Sequence, residues 1–162
     1  MFDLILPSYA FAPTYVHKLV DDVPDERWCE QPVAGVALNH AAFTVGHLAW
    51  VHDSVTQMIG GTPDLPAEWK PLFATGAKPL PDRSAYPPRD ALLAAFDAAH
   101  AKLGSVVLTA DPAALAAPAP ERMQKRFPTV GAMLAGLMSM HYGSHIGQLS
   151  AWRRAIGMPS VF

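Results

Sequence analysis

The chain has little cysteine, little charge and no long apolar run. Cys29 is the one cysteine among 162 residues, which excludes an internal disulfide and a zinc site built from several thiolates. Charged residues make up 16% of the chain, the formal net charge is −2 and no Lys/Arg tract occurs, so nucleic acid is not expected as a partner. The longest apolar run, Val130 to Met140, is too short to cross a bilayer. We therefore also expect no membrane partner.

The N-terminal stretch lacks the basic start and the small-residue cleavage site of a signal peptide. Together with the lone cysteine, this favours a cytoplasmic location. Hydrophobic residues make up 51% of the chain, which is enough for a core, and the length lies in the range of one domain. We expect residues 1–162 to form that single domain.

Helical periodicity is the main pattern in the chain, and no alternating β pattern, internal repeat or sustained heptad accompanies it. Four helices are predicted: from about Ser8 to Asp22, from Asn39 or slightly later to Gly60, from Pro88 or Arg89 to Thr109, and from Thr129 to about Gly157. The pattern predicts an all-α four-helix bundle.

A proline-rich connection, residues 62–87, separates the second and third helices. Inside it, AEWKPLFATG can form a short helical piece with Trp69, Leu72 and Phe73 turned inward. A loop of this length with such large apolar side chains either walls one side of a site or is a plain surface crossover. The sequence leaves both readings open.

Two histidines lie one turn apart on the fourth helix. His141 and His145 share a stripe with the apolar residues Leu134, Leu137, Met138 and Trp152, so both imidazoles are expected to face the core. Two imidazoles on one face can hold one metal ion. In a chain with seven histidines such a pair arises readily by chance, so the motif needs a further ligand to be informative.

The second helix offers that ligand. His47 lies on the same side as Phe43 and Trp50, with His40 as a reserve candidate, while His52 is rotated away and expected to be exposed. On the third helix Asp97 and His100 could approach a metal, although a hydrogen-bonded or solvated pair is the more common outcome. Three neutral imidazoles with an open fourth position suit zinc, nickel, iron or copper and are typical of a catalytic site.

Four segments of the chain carry a family resemblance: NHAAFTVGHLAWVHD, EWKPLFATG, the Tyr86-Pro87 start of the third helix and above all HYGSHIGQLSAWRRAIGMP. They resemble the DinB/YfiT-like superfamily, whose members are regarded as metal-dependent enzymes. The resemblance covers nearly the whole chain. It implies a four-helix bundle that often forms a homodimer and holds one metal ion through three histidines, which fall here on His47, His141 and His145.

Two further residues match the last motif. Gln148 could hydrogen-bond a metal ligand or a metal-bound water, or could bridge helices or cap backbone instead, and Gly147 is expected to permit close helix packing. Tyr142 is rotated away from the histidine stripe and is not expected to act as a general acid.

Relatives in the superfamily include S-transferases and isomerases that use small thiols, together with proteins regarded as hydrolases. The resemblance therefore implies an enzyme in which one divalent ion, zinc or nickel before iron, activates water or a low-molecular-weight thiol against a small electrophilic substrate. No Asp or Glu lies on the His141/His145 stripe to act as general base. Two alternatives stay open, a non-catalytic metal- or ligand-binding bundle and a structural dimer in which the three histidines are core residues.

Overall fold

The computed structural model describes residues 2–161 as a bundle of α-helices. In chain order they are α1 (Leu6–Val20), α2 (Ala41–Gln57), α3 (Lys70–Phe73), α4 (Arg89–Thr109), α5 (Pro112–Ala116), α6 (Glu121–Gln124), α7 (Val130–Gly136) and α8 (Tyr142–Ala155). A π-helical turn, Leu137–His141, joins α7 to α8. Within the described residues the only β feature is an isolated bridge between Pro118 and Thr129. The predicted all-α class is confirmed.

Local side chains and backbone explain where the long helices begin and end. The first turn of α2 is capped by His40, whose Nδ1 accepts from the Phe43 amide, one residue after Asn39. Pro88 precedes α4, and the Thr129 hydroxyl accepts from the Ala132 amide at the start of α7. Gly60, at φ 95°, lies just beyond the end of α2 and adopts the left-handed conformation that favours glycine.

The core lies between α2 and α4, which pack along their length, while α1 contacts both α4 and α8. Almost the whole circumference of α2 is buried, as expected for a helix enclosed on several sides. The side chains that fill the core include Leu48, Leu92, Phe96, Leu103, Leu134 and Leu149. Burial of apolar side chains of this size stabilises the fold by roughly 1.5–3 kcal/mol each.

The proline-rich crossover packs on α2 and is not a plain surface crossover. Phe73 is fully buried and Trp69 is nearly so, while Leu72 is half-buried. The Phe73 ring lies directly over Gly46, where any larger side chain would collide with it. Because this contact brings α3 beside the middle of α2, the crossover walls the region around His47.

The fourth helix of the prediction, which the structure forms as α7, the π turn and α8, departs from a regular α-helix. Leu134, Met138, His145 and Trp152 are buried as expected, but Leu137 and His141 are half-buried and Gln148 is exposed. The π turn adds a residue to one turn, so the spacing of about 100° per residue does not hold across it. Tyr142, placed off the stripe by regular spacing, is instead buried.

By length and composition, one helix among the described residues could cross a membrane. Arg89–Thr109 has 21 residues and an 18-residue window of mean hydropathy 1.4, of which 39% is buried in the bundle. Core helices of helical bundles share this composition, and α4 packs one face against α2 through Leu92, Phe96 and Leu103.

Candidate metal centre

Three histidines from two helices meet at one point. Nε2 of His141 lies 3.4 Å from Nε2 of His47 and 3.2 Å from Nε2 of His145. The three ligand atoms all lie within 4.8 Å of one another. Three imidazole nitrogens around a tetrahedral zinc ion at 2.0–2.1 Å would be about 3.3–3.4 Å apart, so the two Nε2 separations fit such an ion. The three residues could therefore hold a metal ion.

The backbone of the crossover orients His47. Its Nδ1 donates to the carbonyl oxygen of Phe73 over 2.7 Å, since a carbonyl can only accept. The proton is therefore on Nδ1, and Nε2 keeps the lone pair that faces His141. A metal-binding histidine typically fixes its tautomer in this way, through a hydrogen bond to a carbonyl or carboxylate.

The other two histidines are held by their place in the helix. His141 is the last residue of the π turn, and His145 follows one turn later in α8. Nδ1 of each is buried, and neither has a hydrogen-bond partner within residues 2–161. These two nitrogens would carry protons if Nε2 bound a metal.

All three imidazoles are held in the neutral form that binds metals. Burial lowers the pKa of His47, and burial together with the neighbouring His47 lowers the pKa of His141 to about 4. Burial, and then charge on His47 and His141, lower the pKa of His145 to about 3, although the nearby Gln148 side chain acts to raise it. Neutral histidine is the ligand form, so at neutral pH no proton has to leave before a cation binds.

Gln148 connects the site to the start of α2. Oε1 of Gln148 accepts from Nδ2 of Asn39 over 2.9 Å, and this hydrogen bond links α8 to the residues just before α2. The Gln148 side chain also interacts with His145. The bridging role predicted as one alternative is thus seen, on an exposed residue. Gly147 does not serve helix packing, because a Cβ there would meet nothing within 4 Å.

The remaining candidate ligands lie elsewhere. His40 uses both ring nitrogens, with Nε2 donating to the Leu80 carbonyl over 2.8 Å and Nδ1 accepting from Phe43. Asp97 pairs with His17 on the surface. His100 stacks on Tyr9, with ring centroids 3.7 Å apart, and is not in the three-histidine group.

The expectation that His52 is exposed was wrong. His52 is 1% exposed and contacts His100, Tyr142 and Tyr9 in a second buried polar cluster. Both ring nitrogens of His52 and of His100, and the Tyr142 hydroxyl, lack a hydrogen-bond partner within residues 2–161. The helical wheel missed this cluster because α2 is covered by α4 on the side opposite His47. The burial of Tyr142 follows from the π turn.

The three histidines open into a cavity of about 1160 Å³. Phe43 and Trp50 from α2 line this cavity, together with Met133 from α7 and Leu137 from the π turn. The crossover and the segment around α6 supply the other walls. This cavity is large enough for a small organic molecule beside the histidines.

The family model of the DinB superfamily matches residues 9–149 of the chain. No curated protein and no solved structure matches the chain. The matched region contains most of α1, all of α2 and α4 and all three clustered histidines, and the fold is all-α, as the resemblance implied. The chain therefore belongs to the DinB superfamily.

Proposed function

We propose that this protein is a metal-dependent enzyme in which His47, His141 and His145 bind one divalent ion, zinc or nickel before iron. Its reaction would be attack by water or by a low-molecular-weight thiol on a small electrophilic substrate, as in a hydrolase or a thiol S-transferase. The observation that carries the proposal is the convergence of three Nε2 atoms at ligand spacing on the wall of an open cavity.

An ion held by three imidazoles would lower the pKa of a water or thiol in its open position, which makes that group a nucleophile near neutral pH. Structural zinc sites normally have four protein ligands. Here the group contains three, and no Asp, Glu or Cys joins it within residues 2–161. The open side favours a catalytic role over a structural one.

The chain's own residues would position the reactants. The Phe73 carbonyl fixes the His47 ring, and the buried histidines lie on the inner wall of the cavity. Asp53, the one carboxylate on the cavity wall in the described part of the chain, accepts from the Asp64 amide over 2.9 Å and from the Gln57 side chain. Asp53 is therefore occupied in holding the crossover and is a poor general base. The nucleophile would have to lose its proton without help from a nearby carboxylate.

A non-catalytic bundle that binds a metal or a small ligand is the second candidate. The same three histidines and the same cavity support it, since neither feature requires turnover. The two functions differ only in whether a metal-bound protein transforms a substrate.

Elemental analysis of protein purified without an affinity tag tests the metal site. We expect about one equivalent of zinc, nickel or iron in the wild type and none in the His47/His141/His145 triple alanine variant. His17→Ala is the matched control, because His17 lies on the surface in a pair with Asp97 and should leave metal content unchanged. Absence of metal from the wild-type protein, even after reconstitution with metal, would refute the proposal.

Activity distinguishes the two candidates. A metal-loaded protein would be tested for conjugation of small thiols to electrophiles and for hydrolysis of small esters. Enzymatic function predicts turnover that a chelator and the triple variant both abolish. Stoichiometric metal without turnover across both panels would favour the binding protein.

A further inference from the structure

Three cations line the cavity that contains the histidines. They are Lys70 at the start of α3, Arg122 in α6 and Arg126 just after it. The side chains belong to exposed residues, whereas His47 and His145 on the same cavity are buried. The cations therefore lie toward the solvent side of the cavity and the histidines toward its inner side.

The two arginines differ from every other arginine in the chain. Arg27, Arg83, Arg89, Arg153 and Arg154 each donate a side-chain hydrogen bond to a carboxylate or a carbonyl oxygen. Arg122 and Arg126 donate none within residues 2–161, and they form no salt bridge there. The two arginines whose side chains lack a partner among the described residues are thus the two that line the cavity.

The rest of the lining only partly offsets these cations. Among the described residues Asp53 is the one carboxylate that lines the cavity; it is buried, and its single negative charge leaves an excess of two positive charges. The whole chain carries a formal charge of −2, so the positive cavity runs against the overall charge. A cleft of one sign concentrates ligands of the opposite sign.

Apolar side chains also line the cavity. Trp50, Leu65, Met133 and Leu137 belong to this wall. Such a wall suits the carbon skeleton of an organic ligand, while a guanidinium group can bind a carboxylate through two parallel hydrogen bonds.

We propose that the substrate of this site is a small organic carboxylate with an apolar body, whose anionic group is bound by Arg122 and Arg126, with Lys70 adding charge. This inference rests on the proposed function, because it names the substrate class of the same cavity. The anion would be held at the outer side, which directs the apolar body and the reacting carbon toward the three histidines.

Matched acids and amides test the proposal by calorimetry. The probes are hexanoate, 3-phenylpropionate and 4-phenylbutyrate, each beside its neutral primary amide, with metal-free and zinc-loaded full-length protein. In the metal-free protein we expect at least one acid to bind about tenfold more tightly than its amide, as a charge-assisted hydrogen bond would give. The preference should fall within about threefold in Arg122→Gln/Arg126→Gln.

Lys125→Gln is the control variant, since Lys125 lies between the two arginines in sequence but does not line the cavity. It should keep the full preference for the acid. Equal affinity for acid and amide, no binding of any probe, or a preference that survives in the double arginine variant would overturn the proposal.

The metal-free and zinc-loaded arms separate this inference from the metal proposal. A preference seen only with zinc and unchanged in the arginine variant would place the carboxylate on the ion, which overturns the inference and leaves the metal site intact. An arginine-dependent preference in a protein that binds no zinc would support anion binding and refute the proposed metal chemistry.

Discussion

At the scale of single residues, the buried histidines are the main source of pH sensitivity. Burial lowers the pKa of His52 well below its usual value and lowers the pKa values of His40 and His100 to about 4. An imidazole without a partner in the core cannot be protonated without the cost of burying a charge. The native fold therefore requires these groups to be neutral.

Stability of the metal-free protein should fall as the pH drops below about 6.5, the ordinary histidine pKa of an unfolded chain. Between that value and about 4, the unfolded state binds protons that native His40 and His100 do not bind. These histidines therefore make their full contribution to the free energy of unfolding above this pH window, and that contribution is lost as the pH falls through it. His40 and His100 alone should make the free energy of urea unfolding at pH 7.5 and at pH 4.5 differ by roughly 5 kcal/mol.

A His100→Phe variant should show a smaller loss of stability on acidification, since it removes one of the titrating groups. The surface variant His17→Gln should retain the loss, because His17 is not buried in the core. A wild-type protein equally stable at both pH values would contradict this account of the buried histidines.

At the scale of elements, the contact between α2 and α3 couples packing to the metal centre. A Cβ at Gly46 would come within 2.2 Å of the Phe73 ring. The backbone carbonyl of the same Phe73 accepts the hydrogen bond from His47. Any displacement of α3 should therefore change the orientation of a candidate ligand.

Gly46→Ala should destabilise the fold by about 1–3 kcal/mol through overpacking, because Phe73 is fully buried and must move as a whole. Loss of the Phe73 carbonyl contact should weaken zinc affinity by about tenfold or more. Chemical unfolding and competitive zinc titration measure the two effects.

Gly143→Ala is the matched control for Gly46→Ala. Gly143 is helical, lies two residues from His141, and a Cβ there would meet nothing within 4 Å. Alanine should stabilise this exposed turn by about 0.5–1 kcal/mol and leave zinc affinity unchanged. Identical behaviour of the two variants would refute the role of the Phe73 contact.

The end of α8 is tied to the end of α1 by a buried arginine. Arg153 donates to both carboxylate oxygens of Asp22 and to the carbonyl oxygens of Leu19 and Pro159. Its side chain is 1% exposed. The bond to Leu19 gives a donor to the carbonyl of a fully buried residue.

Arg153→Ala should lower the free energy of unfolding by about 2–4 kcal/mol, since it removes packing volume, the ion pair with Asp22 and the donor to the carbonyl of buried Leu19. Arg154→Ala, one residue on, should change it by less than about 0.5 kcal/mol because Arg154 is exposed. Thermal or urea unfolding of the two variants measures the difference, and equal losses of stability would contradict the role of Arg153.

At the scale of the whole molecule, the bundle does not depend on the three histidines for its core. The packing of α2 against α4 and the buried apolar side chains of α1 and α8 form a core that does not include them. A bound ion would therefore add to the stability of a preformed fold, by about 2.7 kcal/mol at a free concentration of one hundred times Kd.

Removal of metal should lower Tm by roughly 5–10 °C while the helical circular dichroism at 25 °C stays unchanged. The triple alanine variant of His47, His141 and His145 should show no response of Tm to added zinc or to chelator. Loss of helicity on chelation would mean that the ion is structural, against the catalytic proposal. The homodimer and the cytoplasmic location stay predictions at this scale.

Helical spacing, caps and breakers determined the positions of the four long helices, including the starts near Pro88 and Thr129. The same spacing placed His47 and the His141/His145 pair on inward faces. Both are properties of short stretches of chain, so they can be read from the sequence. The family resemblance then selected these three histidines from the seven.

Tertiary packing decided the rest. His52 is buried because α4 covers a side of α2 that its own sequence does not mark, and Arg122 lines the cavity because the segment before α7 folds beside it. Such features depend on distances between elements remote in sequence, and local periodicity contains no information about those distances.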